Sequence, residues 1–198
     1  MPQFDFGRGP VNCRRHNLGN GLVASTAHVS GSVSLSADSA VGDGAFVEGN
    51  VSLMGSSVIK DSAVVKGERI RLDNCVVTDS CHIGPNTSLT RVRVSGAAYL
   101  KDIVINDVGN RPVVDIDETP VVITGIGVYP AIIIPSPEPL LLFAYGHVWS
   151  ILHHEETTRK LQKITSFENA ETIMKIAFQI MRLRKGWALG IAGVPLAR

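Results

Sequence analysis

Aliphatic residues recur at every sixth position through the first half of the chain. From Val23 to Leu89, eleven of the twelve positions at this spacing are aliphatic, and Arg71 is the exception. Because 44% of the chain is hydrophobic, chance would place about five such residues there. The spacing therefore predicts a repeat architecture. The positions are Val23, Val29, Leu35, Val41, Val47, Leu53, Ile59, Val65, Arg71, Val77, Ile83 and Leu89.

Each six-residue unit also carries a small residue and a turn. Four places after the aliphatic position, ten of the twelve residues are small, as at Ala27 and Ser39. Between the units fall pairs such as Asp43-Gly44 and Asp79-Ser80, which accept tight-turn geometry. Three such units per coil wind a chain into a triangular prism. Twelve units then give four coils, with a total length of about 19 Å.

This pattern resembles the hexapeptide-repeat family over about 75 residues. The resemblance implies a left-handed parallel β-helix, an exception to the usual right-handed crossover, and members of the family are commonly homotrimers. We therefore expect a mainly β chain with a β-helix of about four to five triangular coils over 22–108. An N-terminal segment over 1–21 precedes it, and a small α+β C-terminal module over 109–198 follows.

The C-terminal module alternates turn residues with apolar runs, which predicts strands outside the repeat at 112–114, 119–123, 130–134 and 140–143. Thr165-Ser166-Phe167-Glu168 has capping-box spacing and begins a helix that ends near Gly186. The helix has an apolar stripe, which we interpret as core packing. The alternative is a helix that contacts a neighbouring subunit or partner through Ile173, Met174, Ala177 and Met181.

The order of elements is also similar to hexapeptide-repeat proteins carried by bacteriophages and prophages. A Pro-Val-Val-Ile-Thr-Gly segment follows the β-helix at 120–125, and a Gly-x-x-Trp-Ser element precedes the helices. The phage proteins have Gly-Cys-x-x-His at that element, whereas this chain has Gly146-His147-Val148-Trp149-Ser150. No role of that cysteine or histidine therefore carries over. The resemblance implies a phage-encoded virion component or a host-directed inhibitor.

Two arginine pairs interrupt the repeat. Ile70 and Leu72 flank the first pair with the opposite parity, and a shift of one residue exchanges the two sides of a strand. We expect both pairs to point outward and to share one face, where they form a site for an anion or an acidic partner. The alternative is a solvated face balanced by Asp73, Asp102 and Asp107. The arginines are Arg69, Arg71, Arg91 and Arg93.

Many hexapeptide-repeat proteins are acyltransferases, and the resemblance implies acetyl-coenzyme A as cofactor and His82 as general base. A general base needs a cleft that shields it from water. The register runs from Val23 to Leu89 without an inserted loop to supply one. An outward, solvated His82 is therefore the preferred interpretation, and acyl transfer is the alternative.

Metal binding is a weaker alternative. His28 and His82 are three coils apart, which stacks them in one column but separates them by about 14 Å, too far to share an ion. His153 and His154 begin a histidine and glutamate cluster, yet a polar helix start accounts for it equally well. No metal is therefore expected.

Charge and composition narrow the partners. The formal net charge of +1 and the pI of about 7.8 supply no global attraction to nucleic acid or anionic membranes. The start of the chain does not resemble a secretion signal, so a cytoplasmic location is expected, in the host or in a virion if the chain is phage-encoded. We therefore expect a non-catalytic oligomeric binding or structural protein, with a possible protein partner and no cofactor.

Overall fold

The computed structural model describes residues 1–106, 113–126, 130–135, 139–143, 147–185, 188–189 and 195–196. The chain is mainly β, with 42% strand and 15% helix. It divides into two compact units, Met1–Thr119 and Pro120–Arg198. Each is treated separately below.

The first unit is a parallel β-solenoid of about 5 turns. In chain order, the strands of its described residues are β1 (Gln3–Asp5), β2 (Pro10–Arg15), β3 (Leu22–Ala24), β4 (His28–Val29), β5 (Ser34–Leu35), β6 (Ala40–Val41), β7 (Phe46–Met54), β8 (Val58–Ile59), β9 (Val64–Asp73), β10 (Val76–Val77), β11 (His82–Ile83), β12 (Ser88–Thr90), β13 (Val92–Val94), β14 (Tyr99–Leu100), β15 (Val104–Ile105) and β16 (Val114–Ile116).

Strand pairing divides the solenoid into three faces, as a triangular prism requires. The first face contains β3, β6, β8, β10, β13 and β16 in that order. The second face contains β4, the first part of β7, the first part of β9, β11 and β14. The third face contains β5, the last part of β7, the last part of β9, β12 and β15. The predicted parallel β-helix is confirmed.

The sixfold spacing places the aliphatic residues in the interior of the prism. Eleven of the twelve positions counted from Val23 are buried, and Arg71, the exception, is exposed. The small residues form a second inward column, in which Ser39, Ser57 and Thr87 are buried with the alanines and cysteines. Since each coil places a similar side chain above the last, the interior packs as continuous columns.

One inserted residue accounts for the exception at Arg71. Leu72 follows its partner Leu53 by 19 residues, and the register shifts between Gly49 and Val51 in the neighbouring strand. Leu72 thereby takes the inward place with 0% exposure, while Arg71 points outward. The reversed parity predicted for this pair is confirmed, but the register is not free of insertions as the sequence suggested.

Residues 1–21 form a structure that the repeat does not predict. β1 pairs antiparallel with β2, and β2 pairs antiparallel with β3, so a hairpin extends the first face. The Phe6 ring packs directly on Gly42. A Cβ added to Gly42 would lie 2.4 Å from the nearest atom of that ring. Lys60 donates to the Phe6 carbonyl over 2.8 Å, and Arg8 pairs with Asp61 at 3.1 Å. The hairpin thus covers the outer side of the first face.

The second unit combines a four-stranded antiparallel sheet with two helices. Its elements are β17 (Val121–Ile123), β18 (Ala131–Ile134), β19 (Leu140–Phe143), β20 (His147–Ser150), α1 (His154–Leu161), α2 (Phe167–Lys185), β21 (Ala188–Leu189) and β22 (Pro195–Leu196). The sheet order is β17-β18-β19-β20, and β21 pairs with β22. The strands predicted at 119–123, 130–134 and 140–143 and the long helix are present, whereas Val114 of the run predicted at 112–114 begins β16, a strand of the solenoid. Neither helix is long and apolar enough to cross a membrane, within the ranges described above.

The helix α2 begins one residue later than the capping box suggests. The backbone N–H of Asn169 donates to Ser166 Oγ over 3.2 Å, so Ser166 caps the helix. The helix packs on the sheet through the predicted apolar stripe, which joins residues of β18 and β19 in one core. The predicted end near Gly186 lies outside the described residues, and α2 is described to Lys185.

Candidate functional site

The four arginines do not form the single face expected from the sequence. Arg71 lies on the third face, opposite Ser52 on one side and Ser88 on the other. Arg93 lies on the first face, opposite Val76 and Asp115. The backbone turns a corner between Thr90 and Val92, and this separates the two side chains. The expectation of one shared arginine face was therefore wrong.

The other two arginines occupy corners. Arg69 has a φ of 57° and Arg91 a φ of 56°, in the left-handed region that corners require and that larger residues seldom adopt. Arg69 is exposed and Arg91 is half-buried. Alternation along a flat strand does not describe a corner, so parity alone could not assign these two arginines to a face.

The electrostatic surroundings of Arg71 and Arg93 differ. Arg93 Nη1 lies 3.3 Å from Asp115 Oδ1 on the adjacent strand, so its charge is paired. For Arg71, the described part of the chain offers no carboxylate within ion-pair distance. Its neighbours in the outward column are Ser52, which is half-buried, and Ser88, which donates to Asn106 Oδ1 over 2.6 Å. Arg71 is thus a cation on a face of small hydroxyl residues.

The second face carries an outward column of apolar and aromatic side chains. The imidazole of His28 stacks on the Phe46 ring with centroids 4.5 Å apart and planes at 13°. Lys66 Nζ lies 5.8 Å from the same ring, in cation–π range. At the far end, the His82 and Tyr99 rings are 6.4 Å apart. The column, called the aromatic column below, consists of His28, Phe46, Val64, His82 and Tyr99.

The aromatic column lies at outward positions, which the inward aliphatic spacing does not reveal. Its members stand one place before the buried aliphatic of each coil, so the repeat already gives their direction. Phe46 and Tyr99 are the signal that was available, because a large aromatic at an outward position has no place in the core. Tyr99 is 47% exposed.

His82 lies on β11 with its side chain exposed, between Val64 and Tyr99. A general base is normally oriented by a second polar group. The described residues supply no hydrogen bond to the His82 ring. His28 lies three strands away in the same column, with Phe46 and Val64 between the two histidines. The two imidazoles are therefore aligned in one column but do not contact each other, as the repeat predicted.

The histidine and glutamate cluster lies at the start of α1. His153, His154, Glu155, Glu156 and Arg159 line an open depression of about 620 Å³. The ring of His154 packs against the Phe178 ring, with centroids 4.9 Å apart. Glu156 pairs with Lys160, which holds the pKa of its carboxyl below the ordinary value. In the residues that the structure describes, no group of His, Cys, Asp or Glu is arranged to hold a metal ion.

The apolar stripe of α2 does not form an exposed surface. Ile173, Met174, Ala177 and Met181 are at most 1% exposed and belong to the core of their own unit. They pack with residues of the sheet, such as Ile133 and Leu141. The structure therefore shows core packing, which was the preferred interpretation. For these four residues to contact a partner, α2 would have to separate from the sheet.

The cysteines are not placed as nucleophiles. Cys13, Cys75 and Cys81 are free and buried. Burial raises the pKa of all three thiols, and that of Cys81 rises to about 11. Because the thiolate is the reactive form, these side chains serve as small packing residues of the solenoid.

Comparison of the chain with protein-family models, with curated proteins and with solved structures found no match. Membership of the hexapeptide-repeat family, a phage origin and a trimer therefore stay predictions. The arrangement of side chains on the solenoid is what carries the functional proposal.

Proposed function

We propose that this chain is a non-catalytic binding or structural protein that self-associates through the second face of its solenoid. The observation that carries the proposal is the aromatic column, a row of apolar and aromatic side chains on the outside of a rigid β-structure. Protein interfaces are enriched in aromatic side chains at their centres. A contiguous outward row of this kind is typical of a surface that another molecule covers.

The three faces differ in how much apolar surface they offer. The hairpin of β1 and β2 already covers the lower part of the first face, where Phe6 meets Ala24 and Ala40. The third face presents serines around Arg71, with Met54 and Val104 as its exposed apolar side chains. The second face combines the aromatic column with Lys66 and Lys101, which are exposed. Association through the second face therefore removes the largest exposed aromatic surface of the solenoid from water.

The number of subunits follows from the family resemblance, which favours a trimer. Three parallel copies would bring three aromatic columns together along one axis. The solenoid then serves as a stiff support, and recognition of a partner is assigned to the C-terminal unit and to the arginines. For a phage-encoded chain, a virion component and a host-directed inhibitor are both consistent with such a support.

Light scattering coupled to gel filtration tests the association. The wild-type chain should elute with about three times its mass of 21.2 kDa. The double variant Phe46→Glu, Tyr99→Glu should elute as a monomer with an unchanged circular dichroism spectrum, because both side chains point away from the core. The matched control, Ser34→Glu with Ser52→Glu on the third face, should keep the wild-type mass. A monomeric wild type, or a double variant that still associates, would overturn the proposal.

Binding of acetyl-coenzyme A distinguishes this proposal from acyl transfer. We expect no change in melting temperature at saturating acetyl-coenzyme A, whereas a true site would stabilise the fold by a few kcal/mol, roughly 2.7 at a hundredfold excess over Kd. A stabilisation by acetyl-coenzyme A, together with acyl transfer to an amine or hydroxyl acceptor that is lost in His82→Ala, would instead favour the acyltransferase.

A further inference from the structure

We propose that Arg71 and Ser52 on the third face bind a tetrahedral oxyanion, the sulfate or phosphate monoester group of a small ligand. The proposal rests on the binding role given to the arginines above, and it names both the residue and the ligand class. Arg71 has an exposed side chain on a strand, and no carboxylate of the described residues lies within ion-pair distance of it. Arg93 is paired with Asp115, and Arg69 and Arg91 occupy corners.

The strand register of the third face places Arg71 and Ser52 side by side. Ser52 is the strand partner of Arg71, so their outward side chains start about 4.8 Å apart. Ser34 is the partner of Ser52 and continues the column by one more strand. A guanidinium offers two parallel N–H groups to an oxyanion, and a serine hydroxyl beside it supplies a further donor. Both hydroxyls lie on the same side of Arg71.

Among the described residues, Asp73 is the carboxylate nearest to Arg71 along β9. Asp73 lies two residues beyond Arg71 on the same side of β9, half-buried, with one of its oxygens held by Asn74. On the other side, Ser88 donates its proton to Asn106 and is not available to the anion in that orientation. Asp73 therefore weakens the site, and the anion is expected between Arg71 and Ser52, on the side away from Ser88.

The number of basic residues in the outward column also indicates which kind of molecule carries the anion. Attraction to an anionic membrane usually needs a cluster of about four to eight basic residues. The outward column of the third face has Arg71 between Ser52 and Ser88, with Ser34 and Val104 beyond them. A single small ligand with a sulfate or phosphate group matches this face better than a lipid surface.

Two-dimensional NMR titration of the full chain tests the site, with inorganic sulfate as the first probe and glucose 6-phosphate as the second. Backbone signals of residues 51–53 and 70–72 should shift, with a Kd of roughly millimolar order, as expected for two or three charge-assisted hydrogen bonds to an exposed anion. Arg71→Gln should weaken binding at least tenfold. Arg14→Gln, at an exposed arginine of β2, is the matched control and should leave it unchanged.

Two further variants separate a built site from general charge attraction. Ser52→Ala should weaken binding several-fold, and Asp73→Asn should strengthen it because a nearby negative charge is removed. Shifts that persist in Arg71→Gln, or no shift up to about 50 mM of either probe, would overturn the proposal. Binding to phosphatidylglycerol vesicles without binding of either small probe would overturn it as well. Each of these outcomes leaves the mass measured in the self-association test unaffected, so the two proposals fail separately.

Discussion

The two units of this chain build their cores in different ways. In the solenoid, each coil repeats the last, so the phase of a residue in the six-residue unit decides whether it points in or out. In the C-terminal unit, the core joins residues far apart in sequence, such as Ile133 of β18 and Met174 of α2. A single inserted residue therefore reverses the direction of the side chains around Arg71, and the sixfold phase returns at Val77. In the second unit, the Ser166 cap sets where α2 begins, and the apolar stripe sets which side of α2 faces the core.

The largest expected effect is at Leu72, which takes the inward position that the sixfold spacing would give to Arg71. Leu72→Ala should lower the free energy of unfolding by about 2–5 kcal/mol, because a fully buried leucine leaves a cavity in the inward column. Arg71→Ala, one residue away on the outside, should change it by less than about 0.5 kcal/mol. Urea denaturation measures both. Equal effects, or a larger effect at Arg71, would mean that the repeat keeps its sixfold register here.

The next effect concerns the corner where the register shifts. Gly49 has a φ of 103°, and a Cβ there would lie 2.2 Å from the Gly67 carbonyl oxygen. Gly49→Ala should therefore destabilise the solenoid by about 1–3 kcal/mol or more. At Gly31 an added Cβ meets nothing within 4 Å, so Gly31→Ala serves as the control and should be neutral or slightly stabilising. Thermal unfolding followed by circular dichroism separates the two variants, and similar melting temperatures would argue against this corner geometry.

The second unit offers a matched test of its helix start. Ser166→Ala should cost about 1 kcal/mol, because Ser166 Oγ accepts the Asn169 N–H at the start of α2. Glu168→Gln should be nearly neutral if Ser166 is the cap, whereas a capping box starting at Thr165 would make Thr165→Ala the more damaging change. Chemical denaturation of the three variants decides which residue caps the helix.

The smallest effect is a pH dependence at a corner of the solenoid. Thr78 donates to Asp61, and this hydrogen bond lowers the pKa of the Asp61 carboxyl below its ordinary value of 3.8. A lowered pKa in the folded state contributes stability above pH 3.8 that is lost as the pH falls through the folded value. Thr78→Val should therefore be less stable than wild type at neutral pH, and the difference should shrink towards about pH 2. A difference that is constant with pH would contradict this account.

Much of the solenoid could be predicted from the sequence because its rule is local and repeated. Eleven of the twelve sixfold positions share one buried environment, so one exception does not obscure the pattern. The repeat also predicts which side chains point outward, so Phe46 and Tyr99 were sufficient to locate the aromatic column. The apolar stripe of α2 was predictable for a similar reason, since helical spacing identifies one buried side.

The rest depended on features that the spacing does not encode. A one-residue insertion near Gly67 and a shorter coil at Arg91 moved the arginines to different faces and corners, although their parity was correct. Strand partners had to be known to see that Arg93 faces Asp115 while Arg71 faces Ser52. The hairpin of residues 1–21 was missed because its pairing is antiparallel and lies outside the repeat.

The reversal of strand direction in that hairpin also limits polymerisation. A bare parallel edge on the first coil would be a template on which another molecule could continue the same hydrogen-bond ladder and build a fibre. On the first face the outermost strand is instead β1, only three residues long and ending in Asp5. On the third face, the Leu35 N–H already donates to the Leu18 carbonyl. Growth of filaments from this end is thereby blocked on two of the three faces.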